Sequence, residues 1–265
     1  MIIGRMLPTG PYSIYLEWSI RDIELLTMDT VEIYRSSGEA GPYDLKVSLD
    51  TGPAAYLDEG MNNVSYQRVF YYIIKLVRDD EVIDQSPKLC IEHTDGQQDL
   101  LYGMIQRASS IGYRRLFGSK LYVLQKRDWG VPCECRDMIR GHSSEDDCRA
   151  CYGTSFHGGF YTPVITRGKR SPFVKKSIMQ YFVTEPGDEM IKLMNYPVVK
   201  VGDTLVDSMN HRYEIINIRV NRRLDLMVSQ LLQVRRYPSI SDLIYMYDLD
   251  IPALKPEIYR THVPL

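Results

Sequence analysis

The sequence has no run of about 18 apolar residues, so no stretch of it reads as a transmembrane helix. Met1 to Pro8 hold only a few apolar residues, without the apolar block of a secretory signal. Charge of one sign is also missing. The formal net charge is −2, which gives no bulk electrostatic case for binding nucleic acid or an anionic membrane. There is no P-loop, no dinucleotide fingerprint and no Ser/His/Asp set, so the common catalytic signatures do not apply. Phenylalanine is scarce, with 6 against 20 tyrosines. Tyrosine suits pleated strands first, and contact surfaces that are wet at one end second.

What is present suits a folded core. Apolar residues make up 44% and charged residues 25% of 265, enough for roughly two domains of ordinary size. Ile14, Leu16, Trp18 and Ile20 alternate with Tyr15, Glu17 and Ser19, the period of a half-buried strand. Val31–Arg35, Tyr43–Leu49, the apolar run Val69–Val77 and a strand starting at Val82 follow. Turn signals separate them at the spacing of a β-sandwich. Cys90, near the end of this region, is expected as a small buried apolar residue.

Asp99 reads as an N-cap before a helical stripe of Leu100, Leu101, Met104, Ile105, Ala108 and Ile111, with Gly112 or Gly118 as its end. Lys120–Arg127 reads as a strand. Four of the five cysteines then fall close together: Cys133 and Cys135, a twelve-residue gap, then Cys148 and Cys151. Two close thiol pairs suit tetrahedral Zn²⁺ with Zn–S near 2.3 Å, and Gly153 lets the chain turn towards the sulfurs. The polar loop 136–147 cannot build its own core, so a metal would supply its folding energy. Disulfides, a redox centre and an empty thiol cluster are the alternatives. His142 or His157 could stand in for one cysteine. With four thiolates on the metal no position is open to water, so this zinc would be structural and the chain not an enzyme.

Beyond the knuckle, Ile178–Thr184, the strand–turn–strand Val198–Asp207, Arg212–Val220 (broken by an Asn221–Arg223 turn) and Leu226–Arg236 predict a small barrel or sandwich. Lys169, Arg170, Lys175 and Lys176 read as a solvated face, with phosphate contact as the second reading. Residues 239–265 carry Pro252, Pro256 and Pro264 with Tyr245, Tyr247 and Tyr259, which excludes a long helix or a central strand. They read as a docking arm or as a strap over the protein's own surface.

The expected class is therefore mainly β. A sandwich spans 1–95. A helix, a strand and a four-cysteine zinc knuckle occupy 96–170, a β-rich domain 171–238, and an extended arm 239–265.

Three resemblances add to this. Trp18, the segment Ala55–Gly60 and the tyrosine-rich Phe70–Ile74 make residues 8–90 similar to a fibronectin type III domain, a spacer or adhesion module. Cys148-x-x-Cys151-x-Gly153-x-Ser155 resembles one repeat of the cysteine-rich region of DnaJ chaperones, although Cys133-x-Cys135 departs from that pattern. Lys126–Cys133, the Cys148–Gly159 knuckle, Val201-Gly202-Asp203, Arg212–Ile215 and Gln230–Arg236 recur, in that order, in head–tail connector (neck) proteins of tailed bacteriophages. That resemblance covers about residues 100–250. It implies a ring-forming virion protein assembled in the host cytoplasm. Portal and tail proteins would be its neighbours, genomic DNA would pass through its channel, and the sandwich would face outward. A zinc-knuckle nucleic-acid-binding protein and an extracellular adhesion module are the competing expectations. The acidic Glu134, Asp137, Glu145, Asp146 and Asp147 speak against the first, and the lack of a signal against the second.

Overall fold

The computed structural model describes residues 1–10, 13–59 except 24 and 27, 70–90, 104–137 except 107, 143–144, 148–171, 187–223, 226–238 and 243–249. The expected strand at 178–184, the start of the helix at Asp99, His142 and the end of the arm lie outside these residues.

Two sheets form the N-terminal sandwich. The first is β1 (Ile2–Gly10), β2 (Ser13–Ile20) and β5 (Ala55–Asp58), in the order β1-β2-β5. The second is β4 (Asp44–Asp50), β3 (Thr30–Ser36), β6 (Tyr71–Arg78) and β7 (Glu81–Gln85), with β8 (Leu89–Cys90) also on β6. Alternation along β2 decides which face is buried between them. Ile14, Leu16, Trp18 and Ile20 enter a core with Val31, Ile33, Ile74 and Leu76. Strand β1 was not apparent in the sequence, because Gly4, Arg5 and Pro8 interrupt its apolar pattern. Cys90 is exposed, not buried, because β8 is a two-residue strand at a sheet margin.

The second body is a closed six-stranded barrel. Its strands are β9 (Ser119–Leu124), β10 (Val164–Ser171), β11 (Asp188–Leu193), β12 (Thr204–Asp207), β13 (Arg212–Arg223) and β14 (Leu226–Arg236), in the order β10-β11-β14-β13-β12-β9. Closure leaves no free edge. Leu121, Val123, Ile191, Leu193, Leu205, Ile215, Leu232 and Val234 fill the interior. The barrel thus takes two strands from the segment read as 96–170, and the cysteine knuckle is the β9–β10 connection.

Two local readings differ in detail, and the helix takes the second of its two expected ends. Strand β13 runs on through Asn221–Arg223, which pair with Ser229, Met227 and Leu226 of β14. Residues 198–201 form no ladder. The Gln125 side-chain amide donates to the Val198 carbonyl, and the Gln230 side chain bonds Val199 N and the Pro197 carbonyl. These amides take the place of a neighbouring strand. The helix continues past Gly112 as a π-helical segment, Gly112–Phe117, and stops at Gly118. No helix among the described residues is long and apolar enough to cross a membrane.

Sandwich and barrel share buried surface. Leu7 and Tyr15 from the first sheet pack with Tyr113, Met194, Tyr196 and Met227 from the barrel side. The Tyr15 and Tyr196 rings are 5.5 Å apart. An outward-facing module on a flexible tether would leave these residues in water, so the sandwich is fixed to the barrel.

Candidate metal centre

The knuckle is a folded-back loop. Isolated bridges pair Lys126 with Phe160, Pro132 with Phe156 and Arg136 with Ser143, which brings the two cysteine pairs face to face. Cys133 N donates to Ser155 O at 3.0 Å, Tyr152 N to Cys148 O at 2.8 Å and Thr154 N to Cys151 O at 2.9 Å. The second pair needs left-handed backbone: Tyr152 has φ 50°, Gly153 φ 76° and Gly159 φ 67°. A side chain at Gly159 would meet the Cys151 carbonyl at 2.8 Å, so only glycine fits there.

This backbone places the Sγ atoms of Cys133, Cys135, Cys148 and Cys151 within 4.8 Å of one another, an arrangement that could hold a metal ion. Cys133 and Cys148 are 3.8 Å apart and Cys135 and Cys151 3.3 Å. A tetrahedron with metal–sulfur bonds near 2.3 Å has edges of about 3.8 Å, so the spacing matches a four-thiolate site. Every one of the four is a free thiol, and a disulfide would bring two sulfurs to about 2.05 Å. Cys151 and Cys133 are buried.

The electrostatics ask for a cation. Backbone N–H groups of Cys151 and Ala150, with the Cys135 side chain, draw the Cys148 thiol down to about 7. At Cys135 the Ser143 hydroxyl pulls downward, but burial and the other three sulfurs push it up to about 12. Burial likewise raises Cys133. Four sulfurs this close do not ionise together unless a positive charge sits among them. His157 lines the cavity at the site, as Glu134 and Ala150 do, and it is not one of the four converging ligands.

The knuckle is anchored on three sides. Towards the sandwich, Trp129 and Tyr161 enter its core, their rings 5.1 Å apart. Arg127 donates to Phe160 O at 2.9 Å and reaches Thr51 O and Gly52 O, each at 3.3 Å. Towards the barrel, Asp128 accepts from Lys200 Nζ at 2.6 Å and Tyr161 Oη at 2.8 Å. Towards the C-terminal segment, Tyr152, next to Cys151, packs on Phe160 and on Tyr247, whose ring centroid is 5.4 Å away. Residues 243–249 thus run as a strap along the outer face of β9, covering Tyr122, Leu124 and Phe160. Arg212 holds the strap: its Nη1 donates to Ile244 O and its backbone N to Tyr245 Oη. Sequence reasoning did not find Arg212 or Tyr161, because neither role is local.

A cleft of about 160 Å³ lies at the meeting of sandwich, knuckle and barrel, lined among others by Arg5, Glu17, Asp128, Lys200 and Asp203. Burial pushes the Glu17 carboxyl up to about 7, against the pull of Arg5 and Lys200. Burial also raises Asp203 to about 6, although both its oxygens accept backbone N–H bonds from Lys126 and Lys200.

No protein-family model matches this chain, and no curated protein is recognisably similar to it in sequence.

Proposed function

We propose that the chain is a non-enzymatic structural protein in which Cys133, Cys135, Cys148 and Cys151 hold one structural zinc ion. We further propose that it serves as a ring-forming connector in the head–tail neck of a tailed bacteriophage. The observation that carries this reading is the position of the four-thiol knuckle. It joins two barrel strands and braces the sandwich on one side and the C-terminal strap on the other. A four-thiolate zinc would lock that joint and leave no coordination position for water, which suits a mechanical part better than a catalyst. Thiolate ligands favour a soft or borderline metal, and zinc is the one that cycles through no redox state.

The order of short motifs from Lys126 to Arg236 supports the neck assignment. Portal and tail proteins are then its neighbours, genomic DNA passes through its channel, and the virion is its location. The near-neutral charge fits a conduit that must not grip its cargo. The sandwich is a rigid outer part of the subunit. The test is electron microscopy of the full-length protein, alone and mixed with the portal of the same phage. Closed rings, or rings that form on the portal, support the assignment. A protein that stays dispersed in both cases removes it.

A further inference from the structure

Two exposed apolar patches carry opposite charge. One is a ledge on the barrel side. Leu116 and Phe117 end the π-helical segment, 78% and 46% exposed, and Ile165 on the adjoining strand β10 is 49% exposed. Basic side chains surround them. Arg115 and Lys169 are exposed, and the Lys169 ammonium lies 5.1 Å from the centre of the Phe117 ring; Arg114, also exposed, is 3.7 Å from the Glu59 carboxylate of its own chain. The other patch is the tip and edge of β7. Val82 and Ile83 are 51% and 40% exposed, directly after Asp79, Asp80 and Glu81. Among the described residues β7 pairs only with β6, and none pairs with its outer edge.

Among the described residues, none covers either patch. Soluble proteins normally blunt an open strand edge with charge, and here the acidic turn does so beside two neighbouring apolar side chains. Nor can one chain bring the two together. The sandwich docks on the barrel through the sheet of β1, β2 and β5, whereas β7 belongs to the opposite sheet.

We propose that copies of this chain associate head to tail, with the acidic β7 edge of one copy seated on the basic-rimmed Leu116–Phe117 ledge of the next. Val82 and Ile83 would cover Leu116 and Phe117, while Asp79, Asp80 and Glu81 face Arg115 and Lys169. Because the two surfaces differ, the contact is heterologous, and repetition closes a ring or extends a filament. The proposal rests on the ring-forming reading above and specifies its contact. Opposed charge gives such a contact its orientation and its encounter rate.

The test uses sedimentation velocity on the full-length chain over a range of concentration and salt, with variants checked by thermal melt. One variant reverses the ledge (Arg115→Glu with Lys169→Glu). The other reverses the edge (Asp79→Asn, Asp80→Asn and Glu81→Lys). Asparagine is used there because Asp79 and Asp80 have φ 50° and 64°, which it tolerates. The wild type should self-associate, more weakly at high salt. Each variant alone should associate at least about tenfold less tightly. An equimolar mixture of the two should recover association, since each supplies the native surface the other lacks. Wild-type association that neither variant weakens would overturn this contact and leave the ring reading standing. A wild type that never associates, alone or with portal added, would overturn both.

Discussion

At the scale of single residues the cysteine cluster is the most legible part of the chain. Its spacing is local, so the sequence alone puts two thiol pairs within reach of one ion. The backbone then adds what spacing cannot: left-handed residues at 152 and 153, and a glycine at 159 packed on the Cys151 carbonyl. Cys148→Ser replaces a thiolate with a poor zinc ligand. It is expected to abolish stoichiometric metal binding and to lower the melting temperature by several degrees, since structural zinc contributes folding energy outright. Metal analysis and calorimetry on the same sample check both.

Glu17 gives a second prediction. Its carboxyl stands at about 7 in the fold, because of burial and the nearby Asp203 and Asp128 charges, against an ordinary value near 4.5. Between those values the folded chain binds a proton that the unfolded chain does not, so stability falls as pH rises through that window. The Asp203 shift, from 3.8 to about 6, has the same sign. Asp128 lies below the usual carboxylate range. Burial opposes its ionisation, but hydrogen bonds from Lys200 and Tyr161 outweigh it, so its contribution is lost only in acid. These two carboxyls favour a higher melt at pH 5 than at pH 8, offset at the metal centre, where protons compete for the thiolates in acid. Glu17→Gln should raise the melt at pH 8 and shrink the difference. An unchanged pH profile in that variant would show that Glu17 does not titrate in this range.

At the scale of elements, strands with one wet face were easy to read and strands of the closed barrel were harder. Strand β2 alternates in sequence, with Ile14, Leu16, Trp18 and Ile20 in the sandwich core, although Tyr15 on its other face is buried against the barrel. Leu121–Leu124 is buried throughout, because the barrel covers one face and the strap the other. Strand β10 was not apparent: its Lys169 and Arg170 read only as part of a solvated charged face, since nothing in the sequence shows that its partners are β9 and β11. The choice between arm and strap is decided by packing for residues 243–249. Tyr247 touches both Phe160 and Tyr152, so Tyr247→Ala is expected to cost about 1–3 kcal/mol. The same change should speed metal loss to a chelator, because Tyr152 adjoins Cys151. A chelation rate equal to wild type would separate the strap from the metal centre.

At the scale of the whole molecule, the division into modules is less sharp than the sequence implies. Fold class was legible because periodicity and turn spacing are local. The junction was not, since Leu7, Tyr15, Trp129, Tyr161 and Tyr196 come from distant parts of the chain and each reads alone as an ordinary core residue. A shared core makes sandwich and barrel one cooperative unit, so calorimetry should show a single unfolding transition. Tyr196→Ala should lower that single transition by loosening both bodies at once. Two separate transitions in the wild type would mean the sandwich is an independent attachment.

The central claim is that a zinc-locked knuckle holds together a subunit built for assembly. Native mass spectrometry of the intact, unalkylated protein tests it most directly, because metal content and assembly mass are read from the same ions. The account expects one zinc per chain, in a closed multimer or in one that appears on adding portal. A zinc-free monomer with oxidised cysteines would contradict it.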